Sequence, residues 1–132
     1  MMMNDSSIRN VASLWDSADV AVVGVGCFAP PSTLLEEGGF PPDELAELAD
    51  MGVVGDMCMR FFDAQGKLVD TPLAERIIGA SLDQLRSIDC VVVVAGGSNK
   101  ATALLGALKT GVIDVLVTDD IAARRVLEMS SS

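Results

Sequence analysis

The sequence predicts an α/β fold built on a parallel β-sheet, and three observations support this prediction. Residues 20–26 and 90–95 are continuous apolar runs rich in valine, as in strands that are buried on both faces. Glycines end both runs, at the points where such strands pass into loops or helices. Residues 90–128 alternate strand, helix, strand and helix with short turns, which is typical of a parallel sheet covered by helices.

The first half of the chain predicts helices, one strand of that sheet and a hairpin. Apolar residues at helical spacing predict the helices, and prolines and glycines mark the loops and turns. In chain order, these elements are a helix over residues 5–17, a central parallel strand over 20–26, a loop over 27–39, a helix from Pro41 to Gly52, and a hairpin over 56–69 with its turn at 63–66.

Capping residues mark two helix starts in the second half. Thr71 precedes Pro72, and Ser81 stands three residues before Gln84 as in a capping box. The remaining predicted elements are short helices after Thr71 and Ser81, a strand over 90–95, a helix over 98–110, a strand over 115–117 and a helix over 119–128.

The composition indicates one folded, acidic domain. The chain has 132 residues, of which 50% are hydrophobic and 21% charged, and this balance excludes a disordered protein. The 9 basic and 19 acidic residues give a formal net charge of −10, so we expect no direct contact with nucleic acid. Histidine is absent, which excludes a histidine-based triad, an imidazole general base and a histidine metal ligand.

The cysteines and the apolar runs predict a cytoplasmic protein that does not enter a membrane. Cys27, Cys58 and Cys90 form no C-x-x-C pair, and we expect them to be buried, reduced thiols. No apolar run approaches the roughly 20 residues that span a bilayer. Residues 1–12 also lack the apolar segment of a signal peptide.

The clearest candidate site is the segment from Val94 to Lys100. A buried strand ends there, Gly96 and Gly97 turn the chain, and a helix begins, so we expect free N–H groups to face the carboxyl edge of the sheet. Lys100 adds a positive charge in the first helical turn, where the helix dipole disfavours it, and an anionic ligand would explain its presence. The alternative is an ordinary strand-to-helix turn with a solvated lysine. The segment does not match a Walker A loop.

A second glycine cluster matches a dinucleotide-binding motif only in part. Residues 24–29 fit G-x-G-x-x-[GA], but Pro30 and Pro31 follow where that motif needs a helix. We therefore interpret Gly24 and Gly26 as residues that let the loop pass close to a ligand or to a neighbouring strand.

Asp56, which follows Gly55 beside a predicted strand, is a candidate acceptor for sugar hydroxyls. Its alternative role is in a turn or a cap. Asp119 and Asp120 open a helix, where complementarity with the helix dipole is a sufficient explanation. A divalent metal on Asp56 with Asp119 or Asp120 is conceivable but nothing requires it, so no metal or cofactor is expected.

Seven short segments of the chain together indicate a protein family. Each segment alone is weak evidence, but their order along the chain is specific. The segments are Asp19–Gly26, Ser32–Leu35, Gly52–Asp56, Arg60–Asp63 with Gly66, Ala95–Gly97, Lys100 and Val115–Asp119. Over about residues 8–128, this ordered set resembles the sugar-binding domain of SorC/DeoR-type bacterial transcriptional regulators.

The resemblance implies a three-layer, Rossmann-like α/β architecture with a β-hairpin insertion, similar to the sugar-phosphate isomerase and CoA-transferase-like group. It implies a phosphorylated sugar or related carbohydrate as effector, which changes how an N-terminal helix-turn-helix domain holds operator DNA. By motif match, Asp56 would bind ligand hydroxyls, while Gly96, Gly97 and Lys100 would hold the phosphate or another polar end. Gly26 and Gly55 complete the predicted ligand-binding set.

The chain departs from this family pattern in length. Compared with that family, we expect the chain to lack a preceding helix-turn-helix and the first part of the sugar-binding domain, with its own glycine-rich loop. Residues 1–132 would then form a single, partial effector domain that binds ligand weakly. An exposed sheet edge and an uncovered apolar face would favour self-association, and the resemblance itself implies a homo-oligomer, either a dimer or a tetramer.

Two other classes of function remain open. A sugar-phosphate isomerase-like enzyme on the same fold would need a carboxylate or a lysine as its base, and Asp56 could serve if burial raised its pKa. A structural or partner-binding fragment would bind no ligand. The regulator hypothesis predicts no enzymatic activity.

Overall fold

Two small sheets form the frame of the part of the chain that is described. The computed structural model describes residues 2–30, 32–37 and 39–132. One sheet is parallel and the other is antiparallel, so the predicted α/β class with a parallel sheet and a hairpin is confirmed. The strands are β1 (Val20–Val23), β2 (Gly26–Cys27), β3 (Val53–Met57), β4 (Arg60–Asp63), β5 (Cys90–Val94) and β6 (Val115–Val117).

Helices follow most of the predicted positions. The capping box at Ser81 is present, since its hydroxyl accepts the Gln84 N–H at 3.0 Å. Gly52 follows a helix with a φ of +79°, as expected at a helix C-terminus. The helices are α1 (Ser6–Ser13), α2 (Thr33–Glu37), α3 (Pro42–Asp50), α4 (Leu82–Ser87), α5 (Ala101–Lys109) and α6 (Asp120–Ser130), with 3₁₀ turns over Met2–Asn4, Leu14–Ser17, Pro72–Arg76 and Ser98–Lys100.

The loop predicted over residues 27–39 is wrong in its middle, where α2 forms. Prolines and glycines bound that segment on both sides, but Thr33–Glu37 contains none and turns once as a helix. Pro31 and Gly38, which contributed to the loop prediction, lie outside the described residues.

The first strand lies at the edge of the parallel sheet, so our prediction that it is a central strand is wrong. The strand order is β1-β5-β6, so β5 occupies the centre and pairs with both neighbours. The predicted run over residues 20–26 is also divided, because β2 leaves the parallel sheet and pairs with β3 in the antiparallel one. An apolar run predicts burial, but it does not say which neighbours supply that burial.

The hairpin turns earlier than predicted. β3 and β4 are joined by Cys58 and Met59, which have φ values of +51° and +59°, as in a two-residue hairpin turn with both central residues left-handed. Neither residue type favours that conformation, so local sequence does not predict a turn at these positions. The predicted turn after Asp63 exists, but it leads only to a single bridge between Phe62 and Leu68.

The main core lies on one face of the parallel sheet. Val91 and Val93 of β5 are fully buried in a cluster that includes Leu104 of α5 and Ala122 of α6. α5 also packs against β3, which joins the two sheets. This packing fixes the start of α5 next to the antiparallel sheet.

Cys27 is buried, whereas Cys58 and Cys90 are half-buried, so the predicted burial of the thiols is confirmed in full only for Cys27. Within the described residues, no helix is both long enough and apolar enough to cross a bilayer.

Candidate ligand-binding site

The predicted site residues come from both sheets and meet near the carboxyl end of β5. Because β1 and β5 run parallel, their carboxyl ends lie at the same edge of the sheet. The chain leaves β1 there and enters β2, which pairs with β3 and so brings Gly26 opposite Asp56. The 3₁₀ turn Ser98–Lys100 contacts β2 from the other side.

A side chain at Gly26 or at Gly55 would collide with atoms of the neighbouring elements, so both positions require glycine. A Cβ on Gly26 would collide with the Asp56 carboxylate. A Cβ on Gly55 would lie 2.6 Å from the carbonyl oxygen of Gly26 and 2.8 Å from the Ala103 Cβ. The interpretation that a glycine lets this loop pass close to a neighbouring strand is therefore correct for Gly26. Gly24 differs, because no atom lies within 4 Å of its Cβ position.

Asp56 is an acid in an apolar setting. Its residue is 9% exposed, and its Oδ2 accepts the N–H of Met59 at 3.2 Å. Burial raises the pKa of Asp56 above its ordinary value of 3.8, while the Met59 N–H and the positive charge of Lys100 act in the opposite direction. Asp56 thus caps its turn, and it also places a carboxylate close enough to Lys100 to interact electrostatically.

This raised pKa predicts a pH dependence of stability. Because its pKa is raised, the Asp56 carboxyl holds its proton more tightly in the folded state than in the unfolded state. Its stabilising contribution to the free energy of unfolding is therefore complete below the ordinary pKa of 3.8. The contribution is lost as the pH rises through the native pKa of Asp56. Asp56→Asn cannot ionise, and its amide oxygen can still accept the Met59 N–H. We therefore expect this variant not to lose stability as the pH rises through the native pKa of Asp56.

Urea unfolding of both proteins across acidic and neutral pH measures the effect. The difference in unfolding free energy, variant minus wild type, should grow as the pH rises above 3.8. A difference that is independent of pH would show that Asp56 titrates alike in the folded and unfolded states.

Lys100 is half-buried and held in place by a backbone carbonyl. Its Nζ donates to the Val25 oxygen at 2.9 Å. Its own N–H donates to the Gly97 oxygen at 3.1 Å, which is the first bond of the helical turn. The ammonium group therefore lies just beyond the end of β1, at the carboxyl edge of the parallel sheet.

The backbone N–H of Gly97 in the diglycine turn is already hydrogen-bonded, although we expected the N–H groups of this turn to be free. Gly97, with a φ of +100°, donates its N–H to Asp119 Oδ2 at 2.6 Å. A Cβ on Gly96 would collide with the same carboxylate. Ser98 and Asn99 still offer N–H groups that precede the first intrahelical bond.

Asp119 has a larger role than its position at a helix start indicated. Its Oδ1 accepts the Ala122 N–H at 2.7 Å and so caps α6, while Oδ2 holds Gly97. Hydrogen bonds from these two N–H groups lower the pKa of Asp119. The capping role is visible in the sequence, but the bond to Gly97 depends on how β5 and β6 lie side by side.

Other polar groups around the turn were not singled out from the sequence. The Asn99 amide donates to the Cys27 sulfur at 3.9 Å. Thr118 has a buried hydroxyl with no hydrogen-bond partner among the described residues. A shallow cleft of about 500 Å³ adjoins the turn and is lined by Ser98, Asn99, Ile121, Arg124, Arg125 and Glu128.

Arg60, the basic residue near Asp56 in sequence, donates to the carbonyls of Ala74, Gly79 and Ala80 and so holds a loop. In the described ranges, no group of three or more acidic or cysteine side chains is arranged to hold a metal ion.

Comparison with known proteins identifies the family. The family model described as "Putative sugar-binding domain" matches residues 1–128. The chain belongs to this sugar-binding domain family. The resemblance to SorC/DeoR-type regulators is confirmed, because curated proteins of similar sequence include a sorbitol operon regulator from Klebsiella pneumoniae and a deoxyribonucleoside regulator from Bacillus subtilis.

Similar proteins include curated regulators and solved domains. The transcriptional regulator LsrR of Enterobacter sp. is 35% identical over 133 residues, which cover 98% of this chain and 41% of that protein. A sugar-binding domain of a transcriptional repressor from Vibrio fischeri has a TM-score of 0.87 and 36% identity, covering 98% of this chain and 52% of that one. The full-length sorbitol operon regulator SorC from Klebsiella pneumoniae has a TM-score of 0.88 and 33% identity. The match covers 96% of this chain and 41% of that one.

The chain matches only part of the length of these relatives. The chain spans about 41% of the length of the curated regulator and about half of the solved Vibrio fischeri domain. In fold and in sequence, it is therefore similar to one part of the sugar-binding domain of these regulators.

Proposed function

We propose that the chain is the effector-sensing part of a sugar-responsive transcriptional regulator and that it binds a phosphorylated sugar or a related carbohydrate. The observation that best supports this proposal is the placement of the Lys100 ammonium and the Asp56 carboxylate at one edge of the sheet. One group suits an anion and the other suits hydroxyls. A sugar phosphate presents both.

Different residues of the site bind different parts of the ligand. Lys100 and the N–H groups at the start of its helical turn bind the phosphate, and Gly96 and Gly97 keep side chains out of its way. Asp56 accepts hydrogen bonds from sugar hydroxyls. Gly26 and Gly55 hold the two strands close enough for Asp56 to lie beside the phosphate end.

The regulatory setting is proposed from the relatives. In a longer regulator, effector binding here would alter how a helix-turn-helix domain holds operator DNA, without contact between this chain and the DNA. The net charge of −10 is consistent with a chain that binds the effector and does not contact the DNA. We further propose a homo-oligomer in the cytoplasm, with residues 1–132 as a partial effector domain.

A sugar-phosphate isomerase is the second candidate, because burial raises the pKa of Asp56 towards that of a general base. The relatives are transcriptional regulators, which favours a sensor without catalytic activity.

Isothermal titration with glucose 6-phosphate, fructose 6-phosphate and ribose 5-phosphate tests the proposal, with the unphosphorylated sugars as controls. We expect saturable binding of at least one sugar phosphate and much weaker binding of its free sugar. Asp56→Asn should change the preference among sugars more than it changes phosphate affinity. Binding of none of these ligands would contradict the sensor, and isomerised product after long incubation would favour the enzyme.

A further inference from the structure

The turn that follows Asp56 has a conformation that its own residues disfavour. Cys58 and Met59 join β3 to β4, and their φ values are +51° and +59°. Residues with a side chain rarely adopt positive φ, and two-residue hairpin turns of this kind normally use asparagine and glycine. Contacts from other parts of the chain must therefore impose the conformation.

The position of the Asp56 carboxylate depends on this turn. Its Oδ2 accepts the Met59 N–H at 3.2 Å, and a turn of another shape would direct that N–H elsewhere. Its Oδ1 lies on the side of Gly26, where a Cβ would collide with it. The described residues donate no hydrogen bond to Oδ1, so this oxygen is the one available to a ligand hydroxyl.

Arg60 anchors the loop that packs against the turn. Its guanidinium donates to the carbonyl of Ala74 at 3.1 Å, to that of Gly79 at 2.9 Å and to that of Ala80 at 3.5 Å. These carbonyls lie at both ends of residues 74–80. One side chain of β4 therefore holds the whole loop against the hairpin.

The same loop contacts the turn directly. A Cβ on Gly79 would lie 2.8 Å from the carbonyl oxygen of Cys58, so the two backbones are in close contact. A cavity of about 370 Å³, lined in part by Cys58, Gly79 and Ala80, adjoins this contact. The turn therefore has space into which it can relax if the loop moves away.

We propose that Arg60 is a positioning residue for Asp56: by fixing residues 74–80 against the turn, it keeps the Asp56 carboxylate directed at the sugar hydroxyls of the effector. This inference rests on the proposed function, because it assigns Arg60 to the same site. The guanidinium bonds backbone carbonyls, so Arg60 acts through the turn and does not touch the ligand. It therefore affects recognition of the sugar more than recognition of the phosphate.

Alkylation of the cysteines by iodoacetamide reports the state of the turn without a ligand, and peptide mass spectrometry separates the sites. Arg60→Lys keeps the positive charge but loses the planar set of donors that reaches three carbonyls. We expect this variant to raise the alkylation rate of Cys58 about five-fold or more, because local opening of the turn exposes the thiol. Cys90, which is also half-buried but lies in β5, should change by less than about two-fold.

The charge retained in Arg60→Lys separates exposure from electrostatics. Burial raises the pKa of the Cys58 thiol, the charge of Asp56 raises it further, and Arg60 acts in the opposite direction. A positive charge at position 60 thus favours the reactive thiolate in both proteins. A faster reaction in the variant therefore comes from exposure of the thiol.

Two further variants complete this experiment. Arg86→Lys is the matched control, because Arg86 of α4 also donates to a backbone carbonyl, that of Thr110 at 3.4 Å. It should leave the alkylation rate of Cys58 unchanged. Gly79→Ala keeps Arg60 but adds a Cβ that meets the Cys58 carbonyl, so it should raise the rate as Arg60→Lys does.

Titration calorimetry with glucose 6-phosphate and fructose 6-phosphate measures the effect on the site. Arg60→Lys should shift the ratio of the two affinities in the same direction as Asp56→Asn. In the Asp56→Asn background, Arg60→Lys should change that ratio by less than about two-fold, because both changes act through one side chain.

Three results would overturn the proposal. Cys58 could react at the same rate in Arg60→Lys as in the wild type, or Cys90 could become reactive to the same extent, which would mean a purely structural role. Alternatively, Arg60→Lys and Asp56→Asn could change the affinity ratio additively. Binding of neither sugar phosphate would instead contradict the proposed function, and the alkylation rates alone would then decide whether Arg60 holds the turn beside Asp56.

Discussion

Replacing Lys100 by alanine should weaken the binding of a sugar phosphate about ten- to hundred-fold. A hydrogen bond to a charged group contributes about 1.5–3 kcal/mol, which corresponds to that range of affinity. The fold should persist, because the lost bond joins the half-buried ammonium to one backbone carbonyl, that of Val25. Titration calorimetry gives the affinity, and far-ultraviolet circular dichroism verifies the fold.

Lys109→Ala is the matched control for this experiment. Lys109 stands at the other end of α5, and its Nζ donates to a backbone carbonyl in the same way, that of Ala64 at 3.2 Å. It should leave sugar phosphate affinity unchanged while removing the same amount of positive charge. If both variants lose affinity equally, the effect comes from the overall charge and the assigned role of Lys100 is wrong.

Gly55→Ala should destabilise the fold by about 2–3 kcal/mol, as overpacking in a filled core does. The added Cβ would meet the backbone oxygen of Gly26 at 2.6 Å, the Ala103 Cβ at 2.8 Å and the Phe62 ring at 3.1 Å. Two of these contacts belong to backbone or to a methyl group on a packed helix, so neither can rotate away. Urea unfolding measures the change in free energy.

Gly24→Ala provides the comparison within the same glycine-rich region. No atom lies within 4 Å of its Cβ position, so its cost should stay below about 0.5 kcal/mol. Equal effects of the two substitutions would mean that the strands near Gly55 separate easily to admit a methyl group. The close approach of β2 and β3 would then not be a fixed feature of the site.

Local sequence determined several elements directly. The capping box of α4 needs only Ser81 and Gln84, and β5 needs only its run of valines before two glycines. The position of Lys100 in the turn after those glycines follows from the same segment. Each of these features depends on residues that are close together in the chain.

Features that depend on distant segments could not be predicted. The edge position of β1 depends on what lies beside it, and the strand's own residues do not encode that. The bond from Gly97 to Asp119 joins residues 22 positions apart, and it forms only because β5 and β6 end side by side. The early hairpin turn uses Cys58 and Met59, which carry no turn preference.

The shared carboxylate of Asp119 has a mechanical consequence. One oxygen holds the diglycine turn and the other holds the first turn of α6, so neither segment can shift without straining a bond to the other. Under the proposed function, a phosphate that reached the Gly97 N–H would first have to displace this carboxylate oxygen, so the turn and the start of α6 would respond to the ligand together.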